Sequence, residues 1–389
     1  VCGASRASIL TGLRPTKSRF RNYDTKINKD SPNALTIASY LKKNGYRTIS
    51  NGKISHFSKD AAYGWDDMFR SPRSNPKDYK DTLNIKNLKN NFGPASEFIY
   101  ADDNDYSDGK VTQKTLRDIQ SINNDDKPYF IAVGFQKPHL PFIAPKKYWD
   151  LYDRNDISLP YNNFFPPSAP KKANYFYEIR KFTDIPDEGP ITDSKAKELI
   201  HAYYACVSYI DAQIGLIIDE LDNQDLTDNT TIILTSDHGF SLSEHGRWTK
   251  HNLFQYELKI PMIISSPKYK KNKTSESFVE LVDLYPTFCE IAGLEIPSFA
   301  QGKSLINNLK NPKKITNDIA FSRWQNGETL ISNKYYYTEW SRKGNLTHRM
   351  LYDIENDELQ MNNIAEIKSK KSIVDSLSRI LNKHIKSIN

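Results

Sequence analysis

The chain has 389 residues, 38% of them hydrophobic and 12% aromatic, which excludes a disordered polypeptide and allows a large core with a second, smaller one. Three cysteines (Cys2, Cys206, Cys289) exclude a disulfide scaffold, and no run approaches the roughly 20 apolar residues of a membrane span. A net charge of +7 and a pI near 8.9 suit a polyanion, nucleic acid or sulfated glycan alike, and equally suit an ordinary solvated surface.

The first stretch, Val1 to Gly12, reads VCGASRASILTG. Gly12 and Pro15 after an apolar run predict a short helix that stops at Gly12, with Cys2 at its start. Free N–H groups and the positive dipole end at a helix start lower a thiol pKa, so Cys2 is either a reactive cysteine or an inert buried one. Ser31-Pro32 is read as opening a second helix, with Leu35, Ala38 and Leu41 on one face and Gly45 as its stop. Tyr46–Ser50 is a predicted strand. Gly52-Lys53-x-x-His56 follows, on the loop past its C-terminal end, where open α/β sheets bind ligands. Residues 57–127 are polar and broken by Pro and Gly. They read as an irregular excursion with helix only near Thr112–Ile122.

Tyr129–Gly134 (YFIAVG) has the continuous apolar character of a buried parallel strand. The two prolines of Lys137-Pro138-His139-Leu140-Pro141 are expected to stiffen the next loop and hold Lys137 and His139 outward. Residues 145–190 are aromatic and Pro-rich without a period. Asp193–Leu221 is a predicted long helix, its core stripe running through Ile200, Tyr203, Tyr204, Val207, Ile210, Ile214 and Ile217. Thr231–Thr235 is a second predicted buried strand, carrying Asp237-His238 at its C-terminal end, a pair suited to a metal. Met262–Ser265 is a further strand, and Phe278–Gly293 an amphipathic helix. Beyond Asn317 the texture changes to short alternating strands and a last helix near Ile364–Ile385, so the expected organisation is a domain over 1–315 and a subdomain over 316–389. Strands alternating with helices, with charged clusters at strand C-terminal ends, predict a doubly wound α/β sheet. Such a fold opens on a strand, so a first strand upstream of Val1 is expected.

Cys2-x-Ala4-Ser5-Arg6 with Thr11-Gly12 resembles the signature of the type I sulfatases. Gly52-Lys53-x-x-His56 resembles the family's Lys/His segment. The phrase KPHLPF at 137–142 and the run SDHGFSLSEHGRWTKHNLFQYELKIPMII at 236–264 resemble the iduronate-2-sulfatase-like branch. The resemblance spans essentially the whole chain. It implies an alkaline-phosphatase-like α/β fold with a C-terminal antiparallel subdomain. It also implies that Cys2 is oxidised to formylglycine, whose hydrate attacks a sulfate ester. A calcium ion would be held by the Cys2-derived side chain, Asp237 and His238, with a further Asp pair upstream. Arg6 would bind the hydrate, Lys53, Lys137 and Lys250 the sulfate oxygens; His139 would be the leaving-group acid and His56 the base for the second hydroxyl. The implied partners are a sulfated carbohydrate, rather than nucleic acid, and a formylglycine-generating or anaerobic sulfatase-maturating enzyme. The implied location is outside the cytoplasm or in a lysosome-like lumen. The alternatives are a phosphonate or phosphate monoester hydrolase of the same superfamily, and an inactive polyanion-binding homologue.

Overall fold

A computed structural model describes residues 1–73, 75, 77–122, 126–175, 177–248, 250–269 and 271–388. Its strands are β1 (Arg47–Gly52), β2 (Asp67–Phe69), β3 (Ser96–Ile99), β4 (Tyr129–Gly134), β5 (Phe142–Pro145), β6 (Ile232–Thr235), β7 (Met262–Ser265), β8 (Ile319–Trp324), β9 (Gly327–Ser332), β10 (Tyr335–Arg342) and β11 (Asn345–Asp353). β2, β1 and β4 form a parallel sheet in that order, with Arg47 opposite Tyr129 and Gly52 opposite Gly134. β3 and β5 pair in parallel, β6 and β7 antiparallel. β11-β10-β9-β8 is an antiparallel sheet covered by the helix Lys371–Ile388, whose Val374, Leu377 and Leu381 pack on Leu330, Tyr337 and Leu351.

The helix Cys2–Thr11 ends where Gly12 turns left-handed at φ 66°, with Tyr285 against that glycine. The second predicted helix begins later, at Ile37. Thr36 caps it, its hydroxyl accepting from the Ser39 N–H, and Ser31-Pro32 lies in a turn before it. The 57–127 region is more ordered than its composition indicates. It holds β2, β3, the helix Thr82–Lys86 and a helix over Ser107–Ile122. Composition hides these elements because strands of three or four residues carry too little pattern to read.

The long helix runs Asp193–Asn223, and its buried face follows the predicted stripe only in part, with Ile200 buried and Tyr203 and Ile210 packed on the core. Leu199, Ala202, Ala205, Cys206, Tyr209 and Gln213 are buried, whereas Tyr204 and Val207 are exposed. β4 and β6 are half-buried rather than buried. They flank an elongated cavity of about 1250 Å³, lined by Phe130, Val133, Ile214, Ile217, Ile233 and Phe288 among others. Ile214 and Ile217 therefore face this cavity instead of packed side chains. Cys2, Lys53 and Asp237 also line it, Lys53 and Asp237 just past the C-terminal ends of β1 and β6. No helix among the described residues is long and apolar enough to cross a membrane.

Candidate active site

Cys2 is the first residue of its helix and is buried. A Cβ on neighbouring Gly3 would collide with the Tyr23 carbonyl, so glycine is needed to seat this helix start. One turn on, Arg6 crosses to the loop after β6, where its Nε donates to Asp237 Oδ2 at 2.6 Å. Its Nη1 donates to the carbonyls of Lys53 and Ile54. Arg6 thereby ties three chain segments to one guanidinium. The Lys53 N–H donates to the Gly134 carbonyl at 2.6 Å, locking the end of β1 to the end of β4.

His238 Nδ1 donates to the Gly239 carbonyl at 2.7 Å, which turns Nε2 toward Cys2 Sγ, 3.1 Å away. Asp237 Oδ1 lies 3.5 Å from the same Nε2. Burial pushes the Asp237 carboxyl up, but Arg6, His238 and Lys53 outweigh it and hold it well below the usual carboxylate range. Burial likewise raises the Cys2 thiol, yet the charge and hydrogen bond of His238, with a contribution from His56, bring it well below the ordinary thiol value. His56 faces the sulfur, and its Nδ1 is buried with no hydrogen-bond partner among the described residues.

On the opposite wall, His139 Nδ1 donates to the Leu140 carbonyl at 2.6 Å, leaving Nε2 to accept from Lys250 Nζ at 3.2 Å. Burial, then Lys250 and Lys53, hold His139 well below the ordinary imidazole range, so it is neutral at pH 7. Lys250 also donates to both oxygens of Glu178, each at 2.6 Å. Burial raises Glu178, and Lys250, His251 and His238 more than compensate and lower it. Glu178 lies in the aperiodic 145–190 segment, and nothing in its local sequence marks it.

The structure thus lines one cavity with Cys2, Arg6, Lys53, His139, Asp237, His238 and Lys250, and sets His56 beside Cys2. Lys137 is held differently. Its buried ammonium donates to the Pro141 carbonyl at 2.6 Å instead of pointing outward. Both Lys137-Pro138 and Leu140-Pro141 are cis, and the loop folds back over the lysine.

Cys2, Asp237 and His238 each offer one ligand atom, all within 4.8 Å of one another. An ionised carboxylate, an imidazole nitrogen aimed inward and the Cys2 position fit a divalent cation.

The Sulfatase family model matches residues 1–294, and a model described as N-sulphoglucosamine sulphohydrolase, C-terminal, matches 243–387. A Formosa agariphila sulfatase is 29% identical, covering 98% of this chain and 77% of the relative. Mouse iduronate 2-sulfatase is 31% identical over 76% of this chain, which spans only 61% of that relative's length. A solved phosphonate monoester hydrolase from Silicibacter pomeroyi superposes with a TM-score of 0.83 at 21% identity, covering all of this chain and 86% of that one. The architecture is therefore the alkaline-phosphatase-like α/β fold that the family resemblance implies. With the family match spanning Cys2 through Lys250 and most of the chain, this protein belongs to the sulfatase family of hydrolases.

Proposed function

We propose that this protein removes sulfate from a sulfated sugar, as an iduronate-2-sulfatase-like enzyme, through a formylglycine made from Cys2. The observation that carries the reading is the convergence of Cys2, Arg6, Asp237 and His238 opposite Lys53 and the Lys250–His139 pair. Sulfate ester hydrolysis needs a nucleophile, cations on the sulfate oxygens and a proton for the departing alcohol. Formylglycine would supply the attacking oxygen where Sγ now lies. A divalent cation at Asp237, His238 and this side chain would lower the attacking oxygen's pKa and neutralise a sulfate oxygen. Calcium takes six to eight oxygens.

The chain's own groups do the rest. Arg6, immobilised by Asp237 and two carbonyls, donates beside residue 2. Lys53 and Lys250 face the sulfate. His139 Nε2 accepts from Lys250, so the two residues share the proton that the leaving oxygen takes. His56, against Cys2, takes the proton of the second hydroxyl. A maturating enzyme is the implied partner. The sulfated carbohydrate places the work outside the cytoplasm or in a lysosome-like lumen.

The test is expression of the complete gene with a formylglycine-generating enzyme. Peptide mass spectrometry should find the aldehyde at residue 2, and turnover of an aryl sulfate and a sugar sulfate should need calcium. His139→Ala should slow the sugar sulfate by about 10²-fold or more and the aryl sulfate, a good leaving group, far less. Unmodified thiol in active protein, or turnover of a phosphonate monoester but no sulfate ester, would overturn the reading.

A further inference from the structure

The groups suited to a divalent cation, Cys2, Asp237 and His238, present a sulfur, a carboxylate oxygen and an imidazole nitrogen. Only the carboxylate offers the oxygen that calcium requires. Thiolate, imidazole and carboxylate together are the donors of zinc, a softer ion. Among the described residues no other group of three or more His, Cys, Asp or Glu side chains converges in this way.

Each donor is already aimed. His238 gives its Nδ1–H to the Gly239 carbonyl at 2.7 Å, so Nε2 keeps its lone pair and turns it on Cys2 Sγ, 3.1 Å away. Arg6 holds Asp237 by Oδ2 at 2.6 Å, which leaves Oδ1 as the free oxygen, 3.5 Å from the same Nε2. Around a tetrahedral zinc, sulfur and nitrogen donors stand about 3.5 Å apart, and nitrogen and oxygen donors about 3.3 Å. Sγ and Nε2 therefore need to part by only about 0.4 Å. Three protein donors leave the fourth position to water, as in open zinc sites. A thiolate and a carboxylate also balance the two charges of the ion. With the sulfur gone, Asp237 alone faces the cation, and Arg6 stands behind it. The other thiols do not compete: Cys206 gives its S–H to the Ile143 carbonyl, and Cys289 lies in an apolar core.

We propose that the chain with Cys2 as a thiol binds zinc, rather than calcium, at Cys2, Asp237 and His238. The Zn–S bond forms as the S–H bond breaks, and the thiol proton goes to solvent. The preference belongs to the sulfur. It is lost when residue 2 carries oxygen in its place, so the state of Cys2 selects the metal. The zinc site itself needs only the thiol and stands apart from the sulfatase reading.

The test uses the full-length protein expressed without a maturating enzyme, its Cys2→Ser and His238→Gln variants, and protein matured to the aldehyde. Competition with a zinc-chelating dye measures affinity, and circular dichroism checks folding. Outer-shell losses alone cost about 10–100-fold in metal affinity, so losing the sulfur or the imidazole should weaken zinc by about 100-fold or more. Matured protein should bind zinc as weakly as Cys2→Ser, and about a hundredfold excess of calcium should not displace zinc from the thiol form. Cobalt(II) in place of zinc should give the thiol form, and not Cys2→Ser, a near-ultraviolet sulfur-to-cobalt charge-transfer band. If the variants do not fold, that band in the thiol form, and its disappearance when zinc is added, decides the matter. Equal zinc affinity in the thiol form and Cys2→Ser, displacement by calcium, or cobalt bound without the band would overturn the site. If no aldehyde forms or no sulfate ester is cleaved, the sulfatase reading fails by itself, and the zinc result on the thiol form stands or falls on its own.

Discussion

Glu178 is a carboxylate inside a pocket read as binding an anion, and the charge arithmetic yields a signed prediction. Lys250 is almost fully buried and Glu178 mostly so, with side-chain exposures of 4% and 19%. A sulfate bound to the far side of Lys250 would lie about 5 Å from the Glu178 carboxylate, a repulsion of about 3 kcal/mol at an effective dielectric constant of about 20. Partial exposure and salt screening reduce that by about half, leaving about 1.4 kcal/mol, or tenfold in affinity. Glu178→Gln should therefore bind a singly charged sulfate ester about tenfold more tightly, and inorganic sulfate, a dianion, more tightly by at least about that factor. It should also lower KM for an aryl sulfate, measured by calorimetry and initial rates at fixed ionic strength. Stability should fall, because Lys250 loses its counter-charge. Complete burial would make that loss about 3–5 kcal/mol. The retained amide oxygen and the exposure of Glu178 bring it to about 2 kcal/mol. Sulfate is also the product of the proposed reaction, so the same repulsion would favour its departure. If Glu178→Gln folds and binds sulfate more weakly, the carboxylate is holding Lys250 in place for the anion, and the competition argument is wrong.

Two further outcomes test what supports the pocket. Arg247 and Glu257, both fully buried, pair at 3.0 Å; Arg247 also donates to the Ala173 carbonyl, and Glu257 accepts from Ser241. Arg247→Met strands that carboxylate and should cost about 3–5 kcal/mol in denaturant unfolding, whereas Arg247→Met/Glu257→Leu should recover much of it; equal losses would show that the charge is not the cause. Burial pulls buried His245 down to about 4, with Nε2 donating to the Leu359 carbonyl at 2.8 Å and Nδ1 without a partner among the described residues. Its folded pKa lies below the unfolded value of about 6.5. Its contribution is thus present above about pH 6.5 and lost as pH falls toward 4, by up to about 3 kcal/mol. Asp283, raised to about 6 by burial, runs the other way, its contribution being lost as pH rises through that value. The stability difference between His245→Gln and the parent isolates the histidine: it should shrink between pH 7.5 and pH 4.5, and a constant difference would reject the assignment.

Much of the fold is legible where one physical signal dominates. The apolar run at 129–134 and the Gly12 stop match the structure to within a residue, as does the start of the long helix at Asp193. The signal fails where burial is decided by partners distant in sequence. Val207 belongs to the apolar stripe by spacing, yet 45% of it is exposed, and Gln213 off that stripe is fully buried. Gln213 is buried because its Nε2 donates to Asp103 Oδ2 at 3.0 Å, a partner that no helical period contains. β4 reads as a buried strand from composition but lies half-buried on a cavity, because its second neighbour is set by the whole sheet.

The site divides along the same physical line. Cys2, Asp237 and His238 are readable because each lies at an element end, where backbone polarity and ligand access coincide, whereas Arg6, in mid-helix, is marked only by the family resemblance. Lys137 and His139 look equivalent on paper, two residues apart in one Pro-stiffened loop. The structure separates them by a single hydrogen bond. The Pro141 carbonyl takes the lysine ammonium, while the Leu140 carbonyl takes the histidine Nδ1 and leaves its Nε2 facing Lys250. Which of two adjacent polar side chains a loop consumes and which it presents depends on carbonyl directions. Composition and spacing do not encode those. Glu178 is the converse case. Its role follows wholly from being brought to Lys250 across 72 residues of chain, and an isolated glutamate among aromatics carries no mark of that destination. The one charged group of the pocket that the sequence reading misses is therefore the one that pairs with Lys250. On the proposed reading, an anion arriving at Lys250 would meet a carboxylate that the local sequence does not announce, and the balance between them would set how tightly sulfate is held.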